Sequence, residues 1–286
     1  MKIEYKCSFC ANTLFLTGDI CWDKTEIKVG ICKKCDLKQL LSFSHVDLDY
    51  YSADDHFQED LAILRNREHH WNQKRIERLV NYIPGVENKK ILDFGSGHGG
   101  FLEQAQGSFR DIYGYEVSGR TCALHNQAGW RCCQFLTDVP ADREVILLFH
   151  VLEHIPDPQQ FLEQLQDNFP QAKTFVIEVP NDNEALNSLF ENKAYQKNQH
   201  SSEHLYYFNS KTLRSVVESS NLEVRTETQL QRYTLANHFG WLKNQKRGGQ
   251  NIWETFNERG LNDSYEKILI DQGVADSLFF ICTRKG

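Results

Sequence analysis

The stretch ILDFGSGHGG, Ile91 to Gly100, constrains the fold more than any other part of this chain. A short apolar run stops at Phe94, and Gly95, Gly97, Gly99 and Gly100 come within the next six positions. Glycines at this density let the backbone turn through conformations closed to other residues and approach a nucleotide closely. Such a turn belongs at the carboxyl end of a strand that opens a βα unit. The chain beyond it should then alternate strands with helices.

It does. KKILDFG is a strand and GFLEQAQGS a helix; DIYGYEVS and GRTCALHNQAG repeat the pair. EVILLFHVLEHI reads as a buried strand and turn, DPQQFLEQLQDNF as a helix and TFVIEVPN as a further strand. SKTLRSVVESSN supplies another helix, LEVRTETQLQRY a long strand and DSLFFICTRK a closing strand. This order predicts an α/β fold, a parallel sheet with helices on both faces. Upstream, Leu61, Leu64, Trp71, Ile76, Leu79, Val80 and Ile83 recur at helical spacing, behind a loop DYYSADDHF.

The first 35 residues hold five of the nine cysteines. Cys7, Cys10, Cys32 and Cys35 form two C-x-x-C knuckles, the pattern of a tetrahedral four-sulfur zinc site. A segment this short cannot bury a core unaided, so metal would supply much of its folding energy. Four sulfur ligands leave no open position, which makes the zinc structural; Cys21 lies outside the knuckles. The start, MKIEYKCSFC, has no apolar signal core, and no run reaches the roughly 18 apolar residues that span a bilayer. A cytoplasmic protein is expected, with no membrane partner. The net charge of −7 argues against a nucleic-acid partner.

The glycines alone fit two cofactors. Gly95, Gly97 and Gly100 satisfy the dinucleotide pattern; Gly95, Gly97 and Gly99 satisfy the turn of S-adenosylmethionine (SAM) enzymes. Asp93, at the mouth of the turn, would be repelled by a pyrophosphate and favoured by the ammonium and sulfonium of SAM. Glu116 closes the second strand, where an acid accepts hydrogen bonds from ribose hydroxyls of either ligand.

ILDFGSGHGGFL, YGYEVS, LLFHVLEHIPDP and EHLYYFNSKTL together resemble the successive motifs of class I SAM-dependent methyltransferases, across roughly residues 89–230. The resemblance implies a Rossmann-like sheet, mostly parallel with an antiparallel last strand, beside a small N-terminal zinc-ribbon module. The four-cysteine module before such a core is similar to sugar C-methyltransferases acting on nucleotide-linked deoxysugars, which carry a large C-terminal domain not seen here. Residues 1–45 would be the zinc module, 46–88 a helical lid or linker, and 89–286 the methyltransferase domain, with an acceptor-covering insertion at about 231–272.

Carried over position by position, the resemblance has Gly95, Gly97 and Gly99 wrap the methionine part of SAM and Glu116 hold the ribose. Asp93 and His150 also border the cofactor, and Asp138 in QFLTD would accept from the adenine amine. Glu144 stands where family members often have aspartate. For proton removal the candidates are His204 with Glu203 in SSEHLYYF, and His154 beyond the buried strand; His154 equally suits a turn brace, and the Glu-His pair a clasp on the sheet. Tyr51, beside Tyr50, resembles an aromatic lid. Trp241, His238 and Asn237 could face a sugar or base, and Lys246 and Arg247 a phosphate. The expected acceptor is a small molecule, a nucleotide-linked sugar for surface polysaccharide or secondary metabolism. The alternative is an RNA- or protein-modifying enzyme that grips its target with the zinc module. Against RNA, the place of the N/D-P-P-Y/F motif reads FHVLEH. Oligomeric state is not legible.

Overall fold

The computed structural model describes residues 4–46 and 61–286. Seven strands make the main sheet: β4 (Lys90–Phe94), β5 (Asp111–Tyr115), β6 (Cys132–Cys133), β7 (Val145–Phe149), β8 (Thr174–Pro180), β10 (Leu222–Leu230) and β11 (Ser277–Arg284). Their order is β10-β11-β8-β7-β4-β5-β6. The five strands from β6 to β8 are parallel, and β11 enters antiparallel between β8 and β10. This is the mostly parallel sheet with an antiparallel last strand that the alternation and the resemblance implied.

Burial explains the central strands. β7, VILLF, is buried at every position because helices cover both faces, so its sequence is uniformly apolar rather than alternating. The edges differ: β6 is two residues long, and β10 mixes Glu, Arg and Thr into a half-exposed strand. Short or charged edges resist pairing with other chains. The short helix α2 (Gly100–Ala105) starts directly from the glycine turn. Later helices begin on side-chain caps. Ser118 caps α3 (Gly119–Gln127), and Asp157 caps α4 (Pro158–Asn168). Glu184 caps α5 (Ala185–Ser188) and Asn192 caps α6 (Lys193–Gln199). Asn209 with Thr212 forms a capping box on α7 (Ser210–Ser219).

A second sheet has the order β1-β2-β3-β9: β1 (Leu14–Ile20), β2 (Lys28–Cys32), β3 (Lys38–Leu40) and β9 (Tyr206–Tyr207). Its fourth strand comes from the EHLYYF motif, 166 positions after β3, and pairs Tyr206 with Gln39 and Tyr207 with Lys38. The motif therefore clasps the cysteine-bearing hairpins and not the main sheet. Between β10 and β11 lie α8 (Leu235–Asn244) and α9 (Arg259–Asp271) with two 3₁₀ turns.

The long helix α1 (Leu61–Tyr82) is pinned to the sheet by a buried ion pair. Arg75 Nε and Nη2 donate to the two carboxylate oxygens of Glu178 on β8, at 2.8 and 2.7 Å. Its guanidinium also lies 4.6 Å from the Phe149 ring centre. Burial alone would raise the Glu178 carboxyl, but Arg75 and His150 reverse this and hold it well below the ordinary carboxylate range. Arg75→Met would leave that charge buried and uncompensated. We expect a loss of about 3–5 kcal/mol in urea unfolding; a change within experimental error would mean that Glu178 is not charged.

Candidate active site

A cavity of about 660 Å³ opens at the carboxyl ends of β4, β5, β7 and β8, a size ordinary for a small-molecule site. The glycine turn forms its floor. Gly95, Gly97 and Gly99 have φ of 75°, 52° and 83°. At Gly95 a Cβ would meet Val151 Cγ2 at 2.8 Å, and at Gly99 it would meet His125 Nε2 at 2.6 Å. Side chains there would be strained as well as obstructed.

Two acids flank the turn. Asp93 is 2% exposed, and its Oδ2 has no hydrogen-bond partner among the described residues. Burial, with Glu116 adding and Arg75 opposing, pushes its carboxyl up to about 7. Glu116 Oε2 accepts from the Gly97 amide at 2.8 Å and Oε1 from the Ser118 amide at 3.0 Å. Asp138 is exposed on a 3₁₀ turn and does not line the cavity, because β6 is only two residues long and the chain then leaves the site.

His150 lies at φ 56°, and its ring lines the cavity between two buried carboxylates. Nδ1 is 3.2 Å from Glu153 Oε1 and Nε2 is 3.0 Å from Glu178 Oε1. His154 Nδ1 donates to the Glu203 carbonyl at 2.8 Å, and its ring meets His204 edge-on with centres 4.9 Å apart. Burial pushes His204 down to about 3, with His154 adding and Glu153 opposing. Glu203 is exposed at the cavity rim. The acid that shares this corner with the histidines is Glu153. Burial would raise its carboxyl, but the His150 hydrogen bond and the neighbouring histidines bring it down to about 2. Ligand-capable atoms of Glu153, His154 and His204 lie within 4.8 Å of one another, close enough to surround a divalent cation.

Several expected contacts are elsewhere. Tyr51 and Tyr50 fall outside the described residues. Trp241 is 7% exposed and packs on Tyr195, ring centres 5.3 Å apart, so its face is covered. His238 is buried against the Tyr265 hydroxyl at 2.7 Å, and Asn237 donates to Gln250. Lys246 and Arg247 are exposed and do not line the cavity. These residues hold α8 in place or face solvent; a helix placed after a strand by pattern alone does not reveal which face it buries. The cavity instead receives Trp71, Arg75, Arg232 and Tyr233, which sequence reasoning missed.

Cys7, Cys10, Cys32 and Cys35 bring their sulfurs within 4.8 Å of one another, with close pairs at 3.4, 3.6 and 3.7 Å. Tetrahedral zinc with sulfur at about 2.3 Å requires separations of about 3.8 Å, so the four thiols fit that ion.

A family model described as a methyltransferase domain matches residues 68–227, more than half of the chain. The chain belongs to that family. The chain is 26% identical over 147 residues to the ubiquinone biosynthesis O-methyltransferase of Idiomarina loihiensis. That alignment covers 46% of this chain and 55% of the relative, so the chain spans about half the length of the curated relative it matches. Among solved structures, one similar chain comes from the complex between the Haloferax volcanii Trm112 methyltransferase activator and a methyltransferase. It is 13% identical, with a TM-score of 0.52 over 79% of this chain and 94% of the other. A SAM dependent methyltransferase from Archaeoglobus fulgidus is 16% identical, with a TM-score of 0.47 over 79% and 100%. The likeness to the Haloferax chain is one of fold, over a larger share of this chain than the family model matches. Among the described residues no helix is long and apolar enough to cross a membrane.

Proposed function

We propose that this chain is a SAM-dependent methyltransferase acting on a small hydroxyl-bearing acceptor. One observation carries the reading. The glycine turn, the buried Asp93 carboxyl with its partnerless Oδ2 and the amide-held carboxylate of Glu116 surround one cavity, and it also contains the half-buried imidazole of His204. The cofactor supplies a methyl group already activated by its sulfonium. Glu116 would hold the ribose hydroxyls, Asp93 the ammonium, and the glycine backbone the methionine part.

The protein must then align the acceptor, exclude water and take its proton. With its imidazole pushed down to about 3, His204 is neutral at working pH and by itself a weak base, so it would accept that proton only with the imidazolium stabilised by a neighbour. The buried Glu153 carboxylate would stabilise the imidazolium that forms. His204 would hold the proton that the acceptor hydroxyl gives up as its oxygen receives the methyl group. The Idiomarina relative is named an O-methyltransferase, which supports oxygen as the acceptor atom. The sugar acceptor rests on the resemblance alone, since Trp241, Lys246 and Arg247 do not face the cavity. We further propose that Cys7, Cys10, Cys32 and Cys35 bind a structural zinc.

Asp93 gives the reading a pH signature. A carboxyl raised to about 7 keeps its proton below that pH and gains charge above it. SAM affinity is therefore expected to rise about tenfold between pH 6 and 8, as the ammonium gains its partner. Calorimetric titration with S-adenosylhomocysteine, which keeps the ammonium, should show the slope, and Asp93→Asn should flatten it with the lower affinity retained. The sign for the free protein is opposite. The raised carboxyl stabilises the fold at low pH, and that contribution is lost as pH rises through about 7.

The acceptor class is tested with methyl-labelled SAM against separate pools of phenols, hydroxy acids, nucleotide sugars and total RNA. Label in a small-molecule pool supports the proposal. Label in the RNA pool alone would favour the nucleic-acid reading.

A further inference from the structure

The acceptor end of the cavity carries a cation whose hydrogen-bonding fork is not used by the protein. Arg232 comes just after β10, and a buried aspartate, Asp276, sets its position. Asp276 Oδ2 accepts from the Arg232 and Tyr233 amides at 2.8 and 3.0 Å, and Oδ1 accepts from Arg232 Nε at 3.3 Å. Asp276 is itself fixed, by the Ser277 hydroxyl at 2.8 Å and by its own amide donating to Gln231 at 3.0 Å. Of its nitrogens only Nε is hydrogen-bonded, and the guanidinium carbon lies 5.5 Å from the Tyr233 ring centre. The two Nη nitrogens have no hydrogen-bond partner among the described residues, and the side chain, 18% exposed, lines the cavity. The other arginine there differs: Arg75 spends Nε and Nη2 on Glu178 and Nη1 on Asn72.

Beside this fork stand two aromatic walls. The Trp71 and Tyr233 rings meet edge-to-face with centres 6.1 Å apart, and both line the same cavity. A planar ring can lie against such walls, while a guanidinium fork matches the paired oxygens of a carboxylate or phosphate. From these residues we propose that Arg232, Trp71 and Tyr233 form an acceptor subsite for a planar ring bearing an oxyanion. This deepens the methyltransferase reading and rests on it.

The competing occupant is the carboxylate of the cofactor itself: the Arg232 charge also acts on Glu68, which pairs with His98 of the turn, although the anchor of Arg232 stands well away from it. Asp276 immediately precedes β11, which is three strands from β4 in the sheet order. Strands lie about 4.8 Å apart, so the anchor of Arg232 is about 14 Å from the glycine turn measured across the sheet. The methionine part belongs at the turn. Arg232 also lies close enough to His204 for its charge to act on that imidazole. An acceptor held by the fork is thus presented to the base. Asp276 and Glu178 also face the guanidinium, and the Nε contact leaves Asp276 as an anchor and not a block.

The test uses the full chain saturated with S-adenosylhomocysteine and three probes of one shape: benzoate, phenyl phosphate and benzamide. By calorimetry or ligand-observed NMR, at least one anion is expected to bind tenfold or more tightly than benzamide. Which anion wins separates a carboxylate from a phosphate site. Arg232→Gln should erase the preference while changing S-adenosylhomocysteine affinity less than twofold. Arg232→Lys, which keeps the charge and loses the fork, should retain only part of it. Equal binding of all three probes by the unaltered protein overturns the proposal without recourse to any variant. So does a tenfold loss of S-adenosylhomocysteine affinity in Arg232→Gln with the anion preference intact, which would give the fork to the cofactor. If the unaltered protein does not bind S-adenosylhomocysteine at all, the methyltransferase reading fails, and the same probe comparison on the protein alone still decides the anion site.

Discussion

Removing the metal from Cys7, Cys10, Cys32 and Cys35 is expected to abolish methyl transfer, although the four thiols lie outside the cavity. The hairpins they staple have fewer than about 50 residues and cannot sustain a core by themselves. Structural zinc in such modules contributes about 10–16 kcal/mol, the largest single term proposed for this protein. The effect reaches the site through hydrogen bonds. Leu40 donates its amide to the Leu205 carbonyl at 3.0 Å, and Leu205 donates its own to the Glu153 carbonyl at 2.8 Å. Asp23 accepts from both the Ser202 amide and hydroxyl, and His45 Nε2 contacts the Ser202 carbonyl at 2.7 Å. Ser202 and Leu205 bracket Glu203 and His204. A strong chelator, or Cys32→Ser, should therefore lower turnover below detection and speed amide exchange over residues 200–207. Zinc should restore the chelated protein. Full activity in protein shown by mass to have lost its metal would refute the coupling.

The second large effect concerns His204. His204→Ala is expected to lower kcat by about 10²–10⁴, the range for loss of a general base, with S-adenosylhomocysteine affinity unchanged within twofold. His154→Ala should cost less, because its Nδ1 is committed to the Glu203 carbonyl, as the bracing role we propose for it requires. If His204→Ala weakens cofactor binding as much as turnover, the imidazole is a structural part of the cavity wall. A metal-binding role for Glu153, His154 and His204 would instead show as turnover that tracks added divalent cation in protein whose cysteine site is full.

The alternation from Lys89 to Asn181 was readable because the longer strands carry apolar runs, wholly so in β7, and each helix opens on a cap or a glycine. The cysteine pairing was readable because C-x-x-C spacing brings two sulfurs together whatever surrounds them. The glycine turn and its two acids were local for the same reason: Asp93, Gly97 and Glu116 lie at strand ends that the parallel sheet must align. What sequence could not show was long-range assembly. Nothing in Tyr206–Tyr207 announces pairing with Lys38–Gln39 in preference to the main sheet. The Arg75–Glu178 pair joins positions 103 apart, and neither residue stands in a recognisable motif. Glu153 was passed over between two histidines because its burial depends on β9 closing over it. The insertion misled most: Trp241 and His238 carry chemistry that suits a ligand, yet α8 turns both inward.

The most direct measurement is native mass spectrometry of the freshly purified full chain, before and after a chelator, with SAM and NAD each added in turn. The expected spectrum carries one zinc, lost on chelation, and an adduct with SAM or its demethylated product but none with NAD. An NAD adduct, or no nucleotide adduct even with excess SAM, would contradict the central claim that the glycine turn of Gly95, Gly97 and Gly99 holds the methyl donor.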